Sequence, residues 1–276
     1  MRWMKRAALV ALGVAAVGMS GCSSRAMDNF DLHPADHGLV HALQSAGQGE
    51  TKSDGYSFKV LSMQPLTLQI LDANGSPVQN FTEDMTMLLH LIVVSRDLSS
   101  FAHLHPDYQG NGVFTISHEF PFGGEFQLIA EFVPEGKDIA VAKHWVTVEG
   151  ATHQAQPVLP DEKFTKTLDG VEVTLTTTPD IPELKSGQMA MLNFHLADPT
   201  THKPVKLDKY LGTFGHGVIL NSEGNRYLHV HAMDGVGSGS DVMFHTEFPA
   251  PGLYKVWGQF QVGDEVIAAP FTVNVQ

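Results

Sequence analysis

Six histidines have a spacing that points to a particular chemistry. His103 and His105 are one residue apart, as are His229 and His231, and a third histidine, His90 or His216, precedes each pair at the same interval. Residues two apart in a strand share a face, so each pair presents two imidazoles side by side, while Leu104 and Val230 point the other way. His90 sits in Leu88-Leu-His-Leu-Ile-Val-Val94, a run apolar on both faces that reads as a buried central strand. A buried imidazole needs a partner. If the strands carrying His90 and His103 pair through the loop 95–100, three nitrogen donors meet, a set suited to copper or zinc. Met85, Met87 or Met233 would add the thioether that Cu(I) prefers. Two other readings stay open. The rings can be core histidines bonded to backbone carbonyls, with the pairs capping a loop, or proton sensors, since free imidazole titrates near pH 6.5. Rings gathered about one point favour a metal; rings bonded to main-chain oxygens favour a structural role.

The elements that carry these residues occur twice. His90, His103 and His105 recur as His216, His229 and His231, each 126 residues on. Leu66 to Asp72 with Pro77-Val78 is answered by Leu192 to Asp198 with Pro204-Val205. Phe120-Pro121, Gly124, Phe126, Leu128 and Phe132 are echoed by Phe248-Pro249, Gly252, Tyr254, Val256 and Phe260. Each copy reads as seven short strands, with apolar residues in period two or in continuous runs bounded by Gly, Asn, Asp and Pro. Turns are expected at Asn74-Gly75 and Gly110-Asn111-Gly112. The pattern predicts an all-β protein of two tandem immunoglobulin-like antiparallel sandwiches, residues 55–149 and 161–276, joined by a linker at 150–160. A closed barrel is the alternative.

At the amino terminus, Arg2, Lys5 and Arg6 precede an apolar run from Ala7 to Val17, and Ser20-Gly21 leads into Cys22. That order is a lipoprotein signal over residues 1–21, with Cys22 as the lipidated first residue and 22–54 as a polar tether. Ser23 after the cysteine suggests the periplasmic face of an outer membrane in a Gram-negative host. Cys22 is the chain's one cysteine, so no internal disulfide or thiolate metal site can form. His33, His37 and His41 in the tether have the spacing of one side of a short helix.

The formal net charge is −13, and loss of the basic signal makes the body more acidic, which disfavours nucleic acid and suits cations. No nucleophile elbow, phosphate loop, zincin helix or dinucleotide fingerprint is present, so no enzymatic activity is expected.

The stretch His90-Leu-Ile-Val-Val-Ser-Arg96-Asp97-Leu98-Ser-Ser-Phe101-Ala-His103-Leu-His105-Pro106, followed by Phe120-Pro121 and Gly124, resembles a domain of uncharacterised bacterial secreted proteins and lipoproteins. Its second copy runs from Tyr210-Leu-Gly212 through Gly215-His216 to Tyr227-Leu-His229-Val-His231, with Ala232 in place of the proline. The resemblance covers roughly residues 55–275. It implies an extracytoplasmic sandwich broadly similar to periplasmic copper-resistance proteins, and an association with heavy-metal handling, without an established activity. The expected function is a membrane-anchored protein that binds copper, or else zinc, through His90, His103, His105, His216, His229 and His231. The rival is an interaction module whose loops bind an envelope partner.

Overall fold

The computed structural model describes residues 55–233 and 239–276. The signal, Cys22, the tether and its three histidines lie outside these residues. Both sandwiches belong to one compact unit.

The first sandwich holds β1 (Ser57–Met63), β2 (Leu66–Leu71), β3 (Phe81–Thr82), β4 (Leu89–Ser95), β5 (Phe101–Leu104), β6 (Asp107–Gly110), β7 (Val113–Ile116), β8 (Gly124–Pro134) and β9 (Ala140–Val148). One sheet has the order β1-β2-β7-β6. In the other, β8 is flanked by β9 on one side and by β4, then β5, on the other, with β3 pairing the end of β8. The second sandwich holds β10 (Thr165–Leu168), β11 (Val171–Thr178), β12 (Met189–Ala197), β13 (His216–Asn221), β14 (Tyr227–His231), β15 (Asp241–Glu247), β16 (Gly252–Val262) and β17 (Glu265–Val275). Its sheets are β10-β11-β12-β15 and β14-β13-β16-β17. All strand pairs are antiparallel and neither half closes into a barrel. The duplication is therefore visible in the topology: β4, β5, β8 and β9 correspond to β13, β14, β16 and β17.

Each half has its own core between its two sheets. In the first, Leu66, Leu68 and Phe114 from one sheet meet Leu91, Val93, Phe126, Leu128 and Phe132 from the other. In the second, Leu192, Phe194 and Phe244 meet Ile219, Val256, Phe260 and Phe271. A third apolar cluster lies between the halves, where Ile92, Val94, Leu98, Ile129 and Val141 pack against Val218, Leu220, Tyr227 and Trp257. This explains why β4 is apolar on both faces, all seven of its residues being buried. Leu89, Leu91 and Val93 face the internal core, while His90, Ile92 and Val94 face the other sandwich. The Phe101 ring stacks on Trp257 with centroids 4.7 Å apart. Lys255 Nζ donates to the Leu98 carbonyl at 2.8 Å, across the same interface.

The linker runs along the first sandwich. His153 lies flat on Phe122, centroids 3.8 Å apart, and its Nε2 is 2.8 Å from Asp97 Oδ2. The Gln156 backbone N–H donates to the same carboxylate at 3.0 Å.

Candidate metal centre

The strand pairings bring the histidines together. In the first sandwich β5 lies against β4 with Ile92 opposite His103 and Leu91 opposite Leu104, which sets His103 and His105 beside His90. In the second, His216 lies opposite His231 and Val218 opposite His229. Ring centroids are 5.2 Å apart for His90–His103, 5.1 Å for His90–His105 and 4.6 Å for His103–His105. The matching values are 5.8 Å for His216–His229, 4.8 Å for His216–His231 and 4.5 Å for His229–His231. Within each triad, one ring nitrogen per residue lies within 4.8 Å of the other two. Ions held at 2.0–2.1 Å need donors roughly 3.3–3.6 Å apart, so modest side-chain rotations close either triad.

The triads are also in contact with each other. His229 lies 5.2 Å from both His90 and His103, and His216 lies 6.4 Å and 6.1 Å from the same two rings. The His229 separations match those inside a triad, and the His216 ones are longer. The six imidazoles therefore form one cluster on the interface between the sandwiches, beside the third apolar core.

What holds the rings is as informative as the rings themselves. His90 Nε2–H donates to the Asp84 carbonyl at 3.1 Å, and His216 Nε2–H donates to the Tyr210 carbonyl at 3.0 Å. Asp84 and Tyr210 occupy the same place in the two copies. Each opens a two-residue turn closed by reciprocal backbone hydrogen bonds, Asp84 with Met87 and Tyr210 with Thr213. The central residues have positive φ in both, 44° and 69° at Met85 and Thr86, 50° and 84° at Leu211 and Gly212. This is the left-handed pair of a type I′ turn. Gathered rings and main-chain anchoring thus occur together, because an imidazole has two nitrogens and only the outer one is bonded to the backbone.

The remaining anchors cross the interface. His103 Nδ1 is 2.7 Å from Gln259 Oε1 in the second sandwich. His229 Nδ1 is 2.5 Å from Glu131 Oε1 in the first. Glu131 lies opposite His90 in its own sheet, and Gln259 lies opposite His216. Each half therefore orients a histidine of the other. The four acceptors are oxygens, so four ring protons point outward, and in a neutral ring the second nitrogen keeps its lone pair. His90 Nδ1 and His103 Nε2 face each other at 3.1 Å. His216 Nδ1, His229 Nε2 and His105 Nε2 are buried without a hydrogen-bond partner. Such an arrangement is electrostatically unfavourable by itself and is relieved by a cation.

Burial, reinforced by the neighbouring imidazoles, favours the neutral form of His90, His103, His105 and His216. It lowers the pKa of His90 and pushes those of His103 and His216 well below the ordinary value. His105 falls to about 3, from burial first and then from His90 and His229. Burial, with the Glu131 carboxylate nearby, pushes the Tyr227 phenol well up. Neutral imidazole is the form that binds metal.

The other histidines of the body do not join the cluster. His195 pairs with Asp241 at 2.6 Å and His202 with Glu172 at 3.2 Å. His144 and His118 lie edge-on to Phe58 and Phe120. Glu131 and Gln259 were not among the residues singled out from the sequence. Their signal is the repeat itself: each directly precedes a matched phenylalanine, Phe132 or Phe260, as a polar residue in an otherwise apolar stretch.

Comparison with known proteins adds family membership and little else. No curated protein matches this chain. Among solved structures, a tetra-tandem repeat from the extending region of a large adhesion protein is 10% identical, covering 80% of this chain and 49% of its own, with a TM-score of 0.26. The Bacteroides ovatus mixed-linkage glucan utilization locus protein SGBP-B, solved with a mixed-linkage heptasaccharide, is 14% identical over 83% of this chain and 44% of its own, TM-score 0.18. A putative membrane anchored protein from Corynebacterium diphtheriae is 11% identical over 80% of this chain and 57% of its own, TM-score 0.22. The chain spans about half the length of the first of these. A family described as Domain of unknown function (DUF8832) matches residues 48–150 and 166–276, one copy on each sandwich, and the chain belongs to this family.

Proposed function

We propose that this protein is a membrane-tethered extracytoplasmic metal-binding protein, taking copper before zinc, and that its six histidines serve one centre shared by both sandwiches. The reading rests on the outward anchoring of four ring protons, which turns the second nitrogens of those rings toward one another in a buried cluster. Buffering, tolerance or delivery of the ion is the role proposed, and no reaction is proposed. The acidic surface favours cation approach. Cys22, lipidated after removal of residues 1–21, would hold the protein at the envelope.

The test is titration of the full chain with Cu(I) under argon and, separately, with Zn(II). It is run beside the double variants His103→Ala/His105→Ala and His229→Ala/His231→Ala. Each double variant removes two of the six donors, and at least one of the two is expected to weaken binding by more than the 10–100-fold typical of losing an outer-shell partner. Unchanged affinity in both would move the site elsewhere, and no binding by the parent would leave the interaction-module reading in front. Cys22→Ala is expected to abolish incorporation of labelled fatty acid and release the protein from membranes; continued labelling would remove the anchor from the proposal.

A further inference from the structure

The cluster has six donors, more than one imidazole-bound ion uses, and they fall into two triads that each satisfy the distance condition for an ion. We infer that the chamber takes two ions, one per triad, in unequal sites, with the tighter one on His216, His229 and His231. This rests on the metal-binding reading and goes beyond it in number, position and rank.

The triads are built alike. Their strand pairings, their I′ turns and their backbone acceptors correspond residue for residue, so copy-specific geometry does not separate them. One difference lies in the anchors exchanged across the interface. His229 donates to a carboxylate, Glu131, while His103 donates to a neutral amide, Gln259. A carboxylate behind a ligating histidine makes the ring more basic and a stronger donor, and it places a negative charge close to the ion; an amide orients the ring without that charge. Glu131 is only 2% exposed, so water does little to screen it. Burial points the same way: all three histidines of the second triad are buried, whereas His103 and His105 are only partly so.

Two cations this close repel. A single buried carboxylate at one edge favours the ion beside it, and the repulsion weakens whichever ion binds second. The expected behaviour is stepwise loading, with the second triad filled first.

The experiment counts bound metal after gel filtration of the full chain loaded with Cu(I) under argon and, in parallel, with Zn(II), and measures the stepwise affinities. Two ions per chain with separated affinities support the inference. No more than one ion with either metal overturns it and leaves the proposed function standing; none removes both. Glu131→Gln, an isosteric change, is expected to weaken the tighter step 10–100-fold and bring the two affinities together. Gln259→Glu is expected to strengthen the weaker step. Urea unfolding of each metal-free variant confirms that it folds. If both variants fold and the two affinities keep their original ratio, the assignment of the tighter site to the Glu131-backed triad is wrong.

Discussion

At the scale of single residues, the neutral rings make a prediction that needs no metal. Below pH 6.5 the imidazoles of the unfolded chain take up protons that the folded protein refuses at His90, His103, His105 and His216. Protons then favour the unfolded state, so this part of the stability is complete above about pH 6.5 and is lost as the pH falls toward 3. Each such ring contributes a slope of up to about 1.4 kcal/mol per pH unit. The urea midpoint of the metal-free protein is expected to hold from pH 7.5 to about pH 6.5 and then drop steadily toward pH 5, and His105→Gln to flatten the profile; a level profile in the parent would contradict neutral burial. Asp97 acts in the same direction over a lower pH range. Burial raises its pKa, but hydrogen bonds from the Gln156 N–H, His153, Ser95 and Ser99 outweigh that and hold it well below the usual range. Its contribution is present above pH 3.8 and lost as the pH falls further, so Asp97→Asn should change the shape of the profile only below about pH 4. The six ligand candidates were readable from spacing because a strand's period of two fixes which residues share a face. Glu131 and Gln259 were not, because their partners lie in the other half of the chain and no local pattern encodes a contact across 98 or 156 residues.

At the scale of elements, the turns ahead of β4 and β13 set the two backbone carbonyls, and the copies differ in how comfortably they do so. Thr86 is a β-branched residue at φ 69°, where the second copy has Gly212 at 84°. A left-handed conformation costs an L-residue about 1–2 kcal/mol, and glycine's extra chain entropy returns about 0.5–1 of that. Thr86→Gly is therefore expected to raise the urea midpoint by the equivalent of about 0.5–1 kcal/mol with metal affinity unchanged. A loss of stability would mean that the Thr86 side chain makes a contact worth more than the backbone strain. The same turn shows where strand reading stopped. The run Leu88–Val94 reads as one strand in the sequence, whereas Met87 closes the turn and β4 covers Leu89–Ser95. The longer strands matched closely, β17 over Glu265–Val275 among them, because they carry enough alternation to reveal a period. β3, with two residues, and the four-residue β6 and β10 were not anticipated. They are edge strands whose short, polar sequences owe their pairing to a neighbour.

At the scale of the whole molecule, the two sandwiches are joined by a buried apolar layer that the sequence announced only indirectly. β4 and β13 are hydrophobic on faces that a lone sandwich would leave in water, and the second covering surface is the other copy. If the metal centre straddles that layer, interface packing and ion affinity must be coupled. Leu220 is fully buried in the layer and touches none of the six histidines in sequence. Leu220→Ala is expected to cost about 2–5 kcal/mol and to weaken metal binding as well, because separation of the sheets splits the triads and withdraws Glu131 from His229. Leu68 is equally buried but lies in the internal core of the first sandwich, on the sheet away from the interface. Leu68→Ala should lower stability by a similar amount while the folded protein keeps its parental affinity. Added metal at 100 times its dissociation constant stabilises by about 2.7 kcal/mol, which should recover much of the loss in Leu68→Ala and less of it, at the same metal concentration, in Leu220→Ala. Thermal unfolding of both variants with and without copper measures the difference. Equal recovery would mean that the ion does not feel the interface, and each triad would then have to act within its own half.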